Sequence, residues 1–305
     1  MGSISRRSFV KCSAGVVAFT FADFQALHAN SVKLSFSTLG CPDWSLDQVL
    51  DFAVKHHYSG IEIRGLQREL DLTKSRYFNT PQAIKETKRK LSDKGIAIVG
   101  LGSSAAMHHA DAAERTKAFD EAEKFIDLAE QVGSPYVRVF PDKLPKEQDK
   151  QGTLNRIADG LNELGRYARN SQVGVLMETH GDLVYADDLV KVMNSVAEEN
   201  VGLVWDISNM WMVTKEAPAK VYPKLSKWIR HTHLKDLKMA NDKAEYTLMG
   251  EGEVPIFSAI DLLVKGGYKG YYSFEWEKLW HPEIAEPEVA FAQYSSKIIA
   301  HTGNK

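Results

Sequence analysis

Apolar residues recur along this chain with two spacings that take turns. The run VKLSFSTL (32–39) reads as a strand. Ser45 then opens a stretch in which Leu46, Val49, Leu50 and Ala53 repeat at helical spacing, with Gln48 placed to complete a capping box. The same change of period follows GIEIR (60–64), with a helix predicted over 81–93, and IAIVGLG (96–102), with a long helix. That helix carries Phe119, Ala122, Phe125, Ile126 and Ala129 on one face and ends at Gly133. YVRVF (136–140) precedes a stripe of Leu154, Ile157, Leu161, Leu164 and Ala168. In the second half, VGVLMETH (173–180) precedes a helix around Leu189, Met193 and Val196, and VGLVWDIS (201–208) precedes one near 217–227. IRHTHLKD (229–236) leads through a turn-rich excursion, YTLMGEGEVP, to a helix near 256–265. YYSFEW (271–276) precedes the last helix, over about 286–300.

These are eight strand-then-helix units with no Pro-, Gly- or Ser-rich linker between them. Eight parallel units close a (β/α)8 TIM barrel, so residues 30–305 are expected to form a single domain of that α/β class. An open doubly wound sheet is the competing architecture. It leaves no reason for polar residues at the ends of so many strands, whereas a barrel keeps its site there.

The first 29 residues follow a different rule. Arg6 and Arg7 precede an apolar run from Ala14 to Phe21, and small residues lead to a cleavage point after Ala29. This order resembles a twin-arginine export signal with SRRSFVK as its core. The bland alternative is a frayed amphipathic helix. The run is too short to span a bilayer. An exported, periplasmic protein with no stable membrane anchor after cleavage is the expectation. Loss of this segment would take the net charge from −2 to −4 and leave Cys41 without a partner cysteine. No internal disulfide then holds the fold, and a core of about 275 residues must suffice. The acidic balance gives no footprint for nucleic acid.

The chemistry sits where the apolar runs stop. The fifth strand ends Met177-Glu178-Thr179-His180, the sixth Trp205-Asp206-Ile207-Ser208-Asn209, the seventh His231-Thr232-His233-Leu234-Lys235-Asp236, and the eighth Phe274-Glu275-Trp276-Glu277. One acid at a strand end is commonly a helix N-cap. Four neighbouring ends crowd carboxylates that repel unless a cation neutralises them. Glu178, Asp206, His233 and Glu275 form a ligand set suited to Mn2+, Mg2+, Co2+ or Zn2+, and a structural zinc site would call for thiolates that are not there. His180 shares a face with Glu178, and His231 and Lys235 share one with His233. His180 is a candidate for substrate contact or for supporting the ligand carboxylate, and His231 and Lys235 for substrate contact or proton transfer, each beside a structural reading. Arg138 and Glu62, on the fourth and second strands, are candidates for substrate binding or for a barrel salt bridge. His108 and His109 fall in a loop and carry no role in this reading.

The strand ends METHGD, VWDISN, HTHLKD and FEWE, in this order and with a GEG before the last helix and strand, resemble the sugar phosphate isomerase/epimerase family of xylose-isomerase-like barrels. The resemblance covers essentially the whole chain after residue 29. It implies a metal, with manganese the first expectation, held by Glu178, Asp206, His233 and Glu275, the second histidine of HTHLKD being the ligand. Many members carry a substrate-contacting histidine three residues after the metal aspartate; here that position is Asn209, which hydrogen-bonds but does not shuttle protons near neutrality.

The activity implied is isomerisation or epimerisation of a ketose or keto-sugar through an enediolate, with Glu178 and Glu275 exchanging the proton. If a leaving group lies β to the carbanion, the same intermediate eliminates, with His231 or Lys235 protonating the departing oxygen. That would make a lyase or dehydratase acting on an inosose or 3-keto-glycoside. A related DNA-repair endonuclease would need a basic face and more metal histidines. A non-catalytic exported sugar-binding protein retaining the metal is the remaining reading. The partner is a small-molecule sugar in each of these except the endonuclease, and self-association into a homo-oligomer is compatible with them.

Overall fold

A computed structural model describes residues 32–241 and 243–303. The expected export segment lies outside these residues. The chain alternates as expected: β1 (Lys33–Ser37), α1 (Leu46–Lys55), β2 (Gly60–Ile63), α2 (Pro81–Lys94), β3 (Ala97–Ala106), α3 (Ala112–Val132), β4 (Tyr136–Phe140), α4 (Lys150–Tyr167), β5 (Gly174–Glu178), α5 (Ala186–Asn194) and β6 (Val201–Asp206). Then come α6 (Ile207–Thr214), α7 (Pro218–Leu225), β7 (Ile229–Leu234), β8 (Asp236–Ala240), β9 (Lys243–Thr247), α8 (Ile256–Lys265), β10 (Tyr271–Phe274) and α9 (Pro287–Gly303). The parallel strands close in the order β1-β10-β7-β6-β5-β4-β3-β2. The barrel expected from the sequence is therefore the fold, as one domain.

Local chemistry sets the element ends. Ser45 and Gln48 form the reciprocal capping box that opens α1. Thr80 and Asp111 cap α2 and α3, and both helices close on glycines with φ of 65° and 78° (Gly95 and Gly133), a backbone conformation that costs glycine little.

Strand alternation then builds the two faces. Phe36, Ile61, Val137, Met177 and Trp205 pack with the helices in one hydrophobic core. Their strand neighbours Ser37, Glu62, Arg138, Glu178 and Asp206 are buried and polar. One face of each strand feeds the helix layer while the other points into the barrel.

Two places differ from the sequence expectation. The stretch after β7 is not only turns: β8 and β9 pair as an antiparallel hairpin, Leu237 opposite Tyr246. The run VGLVWDIS stops being strand at Asp206, whose carboxylate caps α6 by accepting from the backbone of Asn209.

Candidate metal centre and its surroundings

Adjacent strands β5, β6, β7 and β10 bring four side chains to one rim. Glu178 and Asp206 end their strands, His233 lies in register with Asp206, and Glu275 follows β10. One ligand-capable atom from each of Glu178, Asp206, His233 and Glu275 lies within 4.8 Å of the others. All four residues are at most 4% exposed.

His233 is oriented by its own hydrogen bond. Its Nε2 lies 2.8 Å from Oε2 of Glu62, and the Nε2 of His231 lies 2.8 Å from the same oxygen. With that nitrogen donating, the lone pair of His233 sits on Nδ1. Nδ1 is 3.5 Å from Oε1 of Glu178 and 3.3 Å from Oε1 of Glu275. It has no hydrogen-bond partner, nor does Oε2 of Glu178. Buried polar atoms are rarely left so, and here both belong to the ligand set.

Charge points the same way. Burial opposes a proton on His233, yet Glu275, Glu62 and Glu178 raise its proton affinity well above the ordinary value. Burial, reinforced by Glu275 and Glu178, raises Asp206 to about 6 against the pull of Lys235. The three ligand carboxylates thus crowd one another enough to draw protons onto Asp206 and His233. Three carboxylates and one imidazole lone pair, with no thiolate, suit a divalent ion of the manganese or magnesium kind. The residues present fit such an ion.

Lys235 completes the network from the junction of β7 and β8. Its Nζ lies 2.6 Å from Oδ2 of Asp206, 2.5 Å from Oε2 of Glu275 and 3.1 Å from Oε1 of Glu277. Burial works against its charge, but these carboxylates, Asp206 foremost, hold it protonated. Burial pushes Glu275 and Glu178 up as well. His233 and Lys235 outweigh this for Glu275, and His233 and Arg138 for Glu178, so both carboxyls lie below the usual range.

The remaining expected residues fall around this core. Asn209, on the first turn of α6, places Nδ2 3.4 Å from Oε1 of Glu178. Arg138 sets Nε 3.3 Å from Oε2 of Glu178 and lies over the ring of Phe140. Arg138 and Glu62 do not pair with each other: Glu62 takes both imidazoles instead. His180 is half-buried, its side chain 38% accessible, with Nδ1 3.1 Å from Oδ1 of Asp142. His108 and His109 stack on each other in their loop.

Sequence reasoning passed over Asp236, Glu277, Tyr246 and Arg64. Asp236 had a visible signal in the GEG motif. Its Oδ2 accepts from the backbone of Gly250 at 2.8 Å and Gly252 at 3.0 Å, and its Oδ1 accepts from Leu237 and Val254. A Cβ on Gly252 would lie 2.0 Å from Oδ1 of Asp236. The last residue of HTHLKD and the GEG are two halves of one clamp, which fixes the loop after the hairpin. Tyr246 of β9 packs on His281 and Trp276 beside the eighth barrel strand.

Comparison with known proteins matches residues 50–293 to the family described as "Xylose isomerase-like TIM barrel". Among curated proteins, the inosose dehydratase of Clostridium botulinum (strain Eklund 17B / Type B) is 26% identical over 240 residues, covering 68% of this chain and 77% of that protein. Among solved structures, an L-ribulose 3-epimerase superposes with a TM-score of 0.73 at 14% identity, covering 90% of this chain and 95% of that one. The 3-keto-D-glucoside 4-epimerase of E. coli superposes with a TM-score of 0.69 at 14% identity, covering 88% and 100%. At those identities the two structures share the fold, and their substrates remain their own.

Proposed function

The chain belongs to the xylose isomerase-like TIM barrel family, and from that premise we propose a divalent-metal-dependent enzyme that enolises a ketose or keto-sugar and returns an isomer or epimer. The observation that carries this reading is the pairing of Glu178 and Glu275, two buried carboxylates held ionised in one cluster with Asp206 and His233. Those four residues would hold the ion, Mn2+ first and Mg2+, Co2+ or Zn2+ as alternatives. When bound, it supplies polarisation of the substrate carbonyl and a more acidic neighbouring C–H. Glu178 takes the proton and Glu275 returns it, or the reverse according to the substrate face. Asn209 and His180 offer hydrogen bonds to hydroxyls, and His231 holds Glu62 in place.

A second reading is a dehydratase acting on an inosose or a 3-keto-glycoside. Two observations favour it: the curated relatives named inosose dehydratase, and Lys235, a buried ammonium 2.5 Å from Glu275 that can protonate a leaving oxygen. Export through residues 1–29 belongs to the same proposal, since an exported enzyme meets free or glycosidic sugars. The deciding experiment incubates the Mn2+-loaded protein with ketoses, inososes and 3-keto-glycosides in D2O, followed by NMR. Deuterium gain with all substituents retained supports isomerisation or epimerisation. Loss of water or of the aglycone supports the dehydratase. Sugar binding without deuterium gain would replace both with a non-catalytic binding protein.

A further inference from the structure

Arg64 lies two residues beyond Glu62, just past the end of β2. Arg138 comes from β4. The two side chains cross the same bare stretch of β3: a Cβ on Gly102 would lie 2.6 Å from Cδ of Arg64 and 2.9 Å from Nη2 of Arg138. They are 6% and 4% exposed. Nη1 of Arg64 and both Nη1 and Nε of Arg138 have no hydrogen-bond partner.

Such an arrangement is costly if it is only structural. Two guanidiniums of like charge repel, and buried donors without acceptors lose their hydration. Burial, and then the charge of Arg138, lower the proton affinity of Arg64 to about 10 against the opposing pull of Glu121, Glu275 and Glu178. The nearby acceptors do not cover them. Ser104 Oγ takes Nη2 of Arg64 at 2.8 Å, while Glu121 is turned to the backbone of Ser104. Glu178 lies 3.3 Å from Arg138 outside hydrogen-bonding geometry. A fork-paired arginine in this protein looks different: Arg68, at the surface, holds Asp43 with two bonds of 2.6 and 2.9 Å. What would satisfy the free donors is a planar anion with two oxygens, the group that guanidinium forks match best.

We propose that Arg64 and Arg138 form a carboxylate-binding subsite beside the Glu178–Glu275 cluster, so that the substrate is the acid form of a keto-sugar rather than a neutral one. This rests on the enolising reading above and names its substrate class. Gly102 is the residue that makes room for the pair.

The test is isothermal titration with matched acid and neutral keto-sugars: D-fructuronate against D-fructose, and D-tagaturonate against D-tagatose. It is run on the whole protein with Mn2+ and again after chelation, so that simple metal chelation by the acid is separated out. The acid should bind at least about ten-fold tighter in one pair under both conditions, the worth of one or two charge-assisted hydrogen bonds. Arg64→Met should bring the preference to within about two-fold, with an unchanged thermal melt, and Arg64→Lys, which keeps the charge but loses the fork, should lower it several-fold. Equal or absent binding in both pairs, a preference that needs Mn2+, or one that survives Arg64→Met would overturn the subsite. The titration reads binding alone. Absent deuterium exchange with a retained acid preference would sink the enolising reading and leave the subsite standing, and the converse result would do the opposite.

Discussion

The two nitrogens of His233 face two groups of carboxylates that behave differently. On the Nε2 side, Glu62 holds His231 and His233 through one oxygen at 2.8 Å each, and burial is outweighed by the imidazoles so that Glu62 stays ionised. That side balances itself with protons already in the chain. On the Nδ1 side, Asp206 and Glu275 share Lys235 while Glu178 faces Arg138, and the three carboxylates still draw protons onto Asp206 and His233. The same residue types at the same depth make a self-paired hydrogen-bonded group on one side and a candidate cation site on the other. What separates them is the count of donors against carboxylates, not burial.

Breaking the Nδ1 side should have the largest effect. Glu178→Gln and Glu275→Gln should each lower kcat by about 10²–10⁴, the usual worth of a proton-transfer group. Near-native turnover in either variant removes the proton-exchange roles. On the Nε2 side the loss should be smaller and of another kind. Glu62→Gln keeps the shape but weakens the hold on His233, so Mn2+ affinity measured by titration should fall about 10–100-fold. An unchanged affinity would mean that Glu62 does not orient the ligand.

Away from both sides, Gly252→Ala pushes a methyl onto Asp236 and should cost about 1–3 kcal/mol in denaturant unfolding. A neutral result would mean the clamp relaxes freely. The smallest effect belongs to the half-buried pair His180–Asp142. Burial lowers the affinity of His180 for a proton, but the Asp142 bond wins and raises it above 6.5. The pair therefore adds stability below the unfolded histidine pKa and loses it as pH rises through the folded value. Asp142→Asn should move the His180 NMR titration to lower pH and cost under about 1 kcal/mol near pH 6. A midpoint that stays put would discount the pair.

The Nδ1 side was legible in the sequence and the Nε2 side was not. Glu178, Asp206 and Glu275 each follow an apolar run, and His233 stands in HTHLKD, where nitrogen-bearing side chains occupy one strand face; both breaks in pattern mark a strand end facing a site. Glu62 sits inside GIEIR, and its partners lie 169 and 171 residues further on, beyond any local pattern. Arg64 was hidden for the same reason: its neighbour Arg138 is brought to it only by barrel closure over Gly102. The barrel itself was legible because its strands and helices differ in period. The β8–β9 hairpin was missed because Lys238, Lys243 and Glu245 are exposed and no apolar alternation announces it. Helix α6 was missed because its N-cap, Asp206, reads first as a ligand.

Anomalous diffraction from crystals grown with Mn2+ tests the cation site directly. One strong peak is expected in bonding range of His233 Nδ1 and of carboxylate oxygens of Glu178, Asp206 and Glu275. A peak on the Nε2 side, between Glu62 and His231, or none at this rim, would contradict this site.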